Sequence, residues 1–167
     1  YTSHHGLYYN TREKIVFTFK HTEEYLLQWV KHGAALAFMG GLNTNVEDIS
    51  SPFYEGFGAY FEAVTGGQYV PTGPMLNQGM NAKTKVGGAM AEFERFEMQS
   101  KETGGEKGLY RIGFFMHYLL TNYRADLDKY LTDWLQGRKD AKKVFELIMA
   151  AHPKTNFDED YPKSVSY

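Results

Sequence analysis

Four helix-length stretches with short breaks fill the chain from Ala89 to His152, and the second of them decides the architecture. GLYRIGFFMHYLLTNY (Gly108–Tyr123) is apolar on nearly every side. A helix of that kind has to be buried, so the other elements must surround it. AMAEFERFEMQS (Ala89–Ser100) comes before it, and Thr103–Lys107 is a break. ADLDKYLTDWLQG (Ala125–Gly137) and DAKKVFELIMAAH (Asp140–His152) follow as two amphipathic helices. The acidic tail from Asn156 reads as irregular. His117, inside the apolar stretch, reads as a core histidine.

The first half mixes periods. Leu7–Tyr9 and Ile15–Phe19 are β-prone runs separated by the polar Asn10-Thr11-Arg12, the pattern of a hairpin. From His21 the apolar residues Leu26, Leu27, Val30, Ala34 and Ala37 recur at helical spacing, which predicts a helix to about Met39, closed by Gly40-Gly41. Ser51-Pro52 is a helix start, serine as N-cap and proline at the first helical position. The helix then runs to Val64, and Thr65-Gly66-Gly67 stops it. Thr65 to Gly88 is rich in Gly, Pro, Asn and Thr and reads as a long loop or lid. The expectation is a mostly α chain of the α+β class: a small N-terminal hairpin followed by about six helices.

With 167 residues the chain is read as a single domain spanning 1–167. It opens on Tyr1, so a fragment or a processed product is expected. A net charge of -2 gives no field to attract nucleic acid. No apolar run approaches the roughly 20 residues of a membrane span. The absence of cysteine excludes thiolate zinc, iron–sulfur and cysteine-nucleophile chemistry. Thirteen tyrosines and twelve phenylalanines suit protein interfaces as well as cores, which points to a protein partner or a place in a larger complex.

Two places carry candidate chemistry. In EGFGAYFEA, Glu55 and Glu62 stand seven residues apart on one helical face, with small residues between them that allow another helix to come close. Glu55 is a candidate metal ligand; the plainer reading is a pair of surface carboxylates flanking a close helix contact. In KHTEEYLLQW, His21 and Tyr25 share a face at i, i+4, the spacing by which H-E-x-x-H holds zinc. Here those five positions read His21-Thr22-Glu23-Glu24-Tyr25. Threonine stands where the general base of that motif belongs and tyrosine where the second histidine belongs.

Taken together, these stretches resemble the gluzincin zinc metallopeptidases, above all the bacterial collagenase-type catalytic subdomain and related bacterial domains of unknown function. In that family a hairpin precedes the H-E-x-x-H helix. About 25–35 residues later comes a helix reading roughly W-x-x-E-G-x-A-x-Y-x-E, whose first glutamate is the third zinc ligand. FYEGFGAYFE (Phe53–Glu62) is similar to it, with Gly58 in place of the usual alanine. Tyr110, Gly113, Phe114, Tyr118 and Leu119 occupy places found in the family's C-terminal helices.

The resemblance implies a gluzincin-like fold and an exported or periplasmic setting. It makes His21 and Glu55 candidate metal residues, with Tyr25 behind them, and Glu24, Glu62 and Tyr110 candidate catalytic residues. A neutral tyrosine is a poor zinc ligand, because its proton ordinarily leaves only near pH ~10. Loss of the base removes about 10²–10⁴-fold in rate. The expectation is therefore a metallopeptidase-like pseudoenzyme, without zinc unless the site is retained, that binds a protein segment or packs as a subunit. The alternative is a zinc peptidase with a nonstandard site built on His21 and Glu55.

Overall fold

The computed structural model describes residues 7–10, 15–18, 23–42, 52–72, 75–76, 87–103 and 109–164. Among them the fold is mostly helical. A hairpin of β1 (Leu7–Asn10) and β2 (Ile15–Thr18) leads into α1 (Glu23–Leu42) and α2 (Pro52–Ala63). A second small ribbon follows, β3 (Val64–Thr65) and β4 (Gln68–Tyr69). The rest is α3 (Ala89–Thr103), α4 (Leu109–Asn122), α5 (Arg124–Leu135), α6 (Ala141–Ala151) and α7 (Phe157–Ser164). Both ribbons are antiparallel; in the first, Leu7 faces Thr18 and Asn10 faces Ile15.

The apolar stretch is central, as its composition requires. Phe114, Phe115, Met116 and Leu119 of α4 are at most 1% exposed. Around them many core rings meet edge to face, Phe115 with Phe145 and Tyr161 at 5.2 Å and Phe53 with Trp134 at 5.7 Å, while Phe93 stacks on Phe145 at 5.2 Å. Each such ring contributes roughly 1.5–3 kcal/mol by burial alone.

Glycine and alanine set the distance between α2 and α4. A Cβ on Gly113 would lie 3.0 Å from the Ala59 Cβ and 3.1 Å from the Ala59 carbonyl carbon. A Cβ on Gly56 would overlap Met116. These helices touch along their backbones, and α2 is thereby held between α4 and α1.

The structure departs from the sequence expectations in three places. First, α1 does not end at Gly40-Gly41 but continues to Leu42. Met39, 5% exposed, anchors its last turns in the core, and that packing outweighs the helix penalty of two glycines, about 1 kcal/mol each. Second, Gly66-Gly67 is a hairpin turn more than a helix stop: both have positive φ, 59° and 80°, as a tight two-residue turn between β3 and β4 demands. The remainder of the expected lid, 73–74 and 77–86, lies outside the described residues. Third, the acidic tail is helical. Phe157 and Tyr161, one turn apart, bury against the core, and Asp158, Glu159 and Asp160 fall in the first turn of α7, where the helix dipole favours negative charge.

Candidate functional site

The inner stripe of α1 is Gln28, His32, Ala35, Leu36 and Met39, all buried and spaced as one helical face. Two of the five are polar, and His32 is only 2% exposed. A buried imidazole requires partners, and both come from α2. The Nδ1–H of His32 donates to the Glu62 carboxylate. On the opposite side of the ring, Nε2 stands 3.5 Å from Glu55 Oε2. Glu62 is 3% exposed, whereas the Glu55 side chain is 27% exposed, so the cluster meets solvent only at the Glu55 end.

Gly58 makes the arrangement sterically possible. It lies between the two glutamates on α2, and a Cβ there would come within 2.6–2.8 Å of the Nε2, Cε1 and Cδ2 atoms of His32. The imidazole therefore rests on the α2 backbone itself. Trp29 flanks the ring at 5.9 Å. Two more bonds tie α1 to α2 and to the residue that follows it. Tyr54 Oη donates to the Leu36 carbonyl at 2.7 Å, and Lys31 Nζ donates to the Val64 carbonyl at 2.7 Å.

The electrostatics follow from burial and from the two carboxylates. Burial alone would push the imidazole down; hydrogen bonding and charge from Glu55 and Glu62 overcome it and raise His32 to about 10. Burial likewise raises Glu62 above the ordinary carboxylate range, against the pull of His32. The imidazole is therefore cationic at neutral pH, between a buried acid and a partly exposed one.

Of the residues expected from sequence, Glu55 and Glu62 do come together, one on each nitrogen of a single histidine. They are not a pair of surface carboxylates, since Glu62 is inside. That histidine is His32. His21 and Thr22 lie outside the described residues; Glu24 and Tyr25 fall in the first turn of α1 and Tyr110 in the first turn of α4, with side chains outside the description. Sequence reasoning passed over His32. In the structure His32 shares a helical face with Leu36 and Met39, not with the polar side of α1.

The 3.5 Å between His32 Nε2 and Glu55 Oε2 is a separation that two ligands of one ion can have. Zinc sites take at least three side-chain ligands, and no group of three or more His, Cys, Asp or Glu side chains placed to hold an ion is found among the described residues. Gln28, one turn before His32, offers a neutral amide.

The Gly58 contact gives a signed prediction. Gly58→Ala is expected to destabilise the fold by about 1–3 kcal/mol through overpacking, although alanine is the better helix former. Gly41→Ala, where nothing lies within 4 Å, is expected to stabilise by roughly 0.5–1 kcal/mol. Urea unfolding of the two variants against the parent checks both signs.

Comparison of the chain with protein-family models, with curated proteins and with solved structures gave no match.

Proposed function

We propose that this chain is a gluzincin-like domain that has given up peptide hydrolysis and serves as a protein-binding or structural module. The observation that carries the reading is the register of α1 against α2. The α1 residue that reaches Glu55 is His32, which closes the stretch Gln28-Trp29-Val30-Lys31-His32. Set on H-E-x-x-H, this stretch keeps the second histidine, replaces the first by glutamine and puts tryptophan in the place of the general base. Gln28 precedes Glu55 by 27 positions, inside the about 25–35 that separate the zinc helix from the third ligand in that family. Tryptophan has no lone pair to take a proton from water, so the acid–base step has no agent there.

A binding role draws support from the outer side of α1. Leu27, Val30 and Phe38 are 57%, 46% and 67% exposed, and with Ala34 they form a row at i, i+3, i+7 and i+11. Between this row and α2 lies a groove of about 410 Å³ lined by Lys31, Ala34, Ala35, Phe38, Phe61 and Val64. A row of that spacing matches an amphipathic helical segment of a partner.

Incubation of the purified chain with casein and gelatin, with zinc supplied, is expected to give no cleavage above buffer. Zinc-dependent cleavage that disappears in His32→Gln would overturn the reading. Binding to labelled amphipathic helical peptides, measured by fluorescence anisotropy, is expected to weaken at least about tenfold in Phe38→Glu, the loss of one well-buried apolar anchor.

A further inference from the structure

We infer that the His32 cluster is a structural clasp that works without a metal: one imidazole, faced by a carboxylate on either side, joins α1 to α2. The inference stands apart from the binding reading, since the clasp closes the fold whatever the outer face of α1 does.

Three observations carry it. Both ring nitrogens of His32 already face acidic oxygens, Glu62 on Nδ1 and Glu55 on Nε2. With a carboxylate facing each nitrogen, a cation could reach Nε2 only by displacing the proton that faces Glu55. Both carboxylates come from one helix and the imidazole from the other, so the whole cluster acts across a single interface. The third observation is Gly58. Its missing side chain lets the ring lie flat against α2 with two faces of the cluster closed, and only the Glu55 end meets water. The neighbouring bonds run from side chains to backbone carbonyls, from Tyr54 of α2 to Leu36 of α1 and from Lys31 of α1 to Val64 just after α2.

The test is thermal unfolding of the whole chain in chelator and then in excess zinc chloride, with His32→Gln beside the parent. A ligand that binds only the folded state raises the midpoint by several degrees. For a clasp, the parent midpoint is expected to agree within about 1 °C between chelator and zinc, while His32→Gln unfolds about 5 °C or more below it. A zinc-dependent rise in the parent that His32→Gln lacks would make His32 a metal donor and end the proposal. So would an His32→Gln midpoint equal to the parent's. If His32→Gln does not fold, Glu55→Gln replaces it, since Glu55 is partly exposed; it is expected to lower the midpoint less and to leave the indifference to zinc unchanged. Long-range ¹⁵N–¹H NMR of the parent supplies an independent readout. Protons on both ring nitrogens of His32 are expected at neutral pH, and a bare Nε2 would overturn the clasp. The cleavage assay above reports separately on the loss of peptidase activity, so the two ideas can fail one at a time.

Discussion

Glu62→Ala is expected to cost about 3–5 kcal/mol, because it removes one partner of a buried ion pair and leaves the other charge behind. His32 is 2% exposed and cannot reach water in Glu62's place. It would keep only the longer contact to Glu55, at 3.5 Å. Urea unfolding followed by circular dichroism measures the loss. A cost under about 1 kcal/mol, the worth of an exposed pair, would show that the cluster is solvated. The same cluster sets a pH dependence with a definite sign. The folded imidazole titrates at about 10 against an ordinary 6.5, a raised value. Its contribution is then fully present below about pH 6.5 and is lost as pH rises through about 10. Glu62 is also raised, so its ionisation opposes the folded state in the same direction. The urea midpoint of the parent is expected to fall between pH 7 and pH 10, and that of His32→Gln to fall less. A parent midpoint that rises over this range would contradict the assignment.

The helices were legible because their apolar periodicity is long and their breaks carry glycine or charge. The placement of α4 at the centre followed from its composition alone. α7 was not legible, for a physical reason: its mean character is acidic, and only Phe157 and Tyr161, one turn apart, mark the buried side. Two apolar residues in eight are too few to reveal a period. The candidate site divides in the same way. The spacing of Glu55, Gly58 and Glu62 indicated one face and a close approach, and both are present. The histidine they receive was hidden, because a lone His32 between Lys31 and Gly33 has no local pattern. It acquires meaning only when α1 is laid on α2, a contact that no window along the sequence contains. His21 drew the reading because it stands shortly before two glutamates and an apolar helical period, which is also how an ordinary polar helix start looks.

Glu92→Ala is expected to produce a loss of the same order, about 3–5 kcal/mol, at a second buried ion pair. Glu92 is fully buried in the first turn of α3. Its Oε1 accepts from Arg111 Nη2 at 2.8 Å and from the Gly87 amide at 2.8 Å, with Arg95 Nη1 at 3.1 Å. One oxygen thus joins the start of α3 to the central helix α4, and Arg111 is itself only 7% exposed. Alanine would leave that guanidinium buried beside a cavity and would remove the acceptor at the mouth of α3. Glu92→Gln separates these effects. It keeps a carbonyl oxygen for the donors but removes the charge, and is expected to cost about 1–3 kcal/mol. The comparison that isolates burial is Glu94→Ala, two residues along the same helix. Glu94 bonds Lys142 Nζ at the same 2.8 Å, but both side chains are more than 40% exposed. Water screens that pair and both chains are free to move, so its removal is expected to cost no more than about 1 kcal/mol. Equal hydrogen-bond lengths with unequal losses would show that burial, not distance, decides what an ion pair contributes to this fold. Equal losses at Glu92 and Glu94 would mean that the interior around Arg111 is open to water.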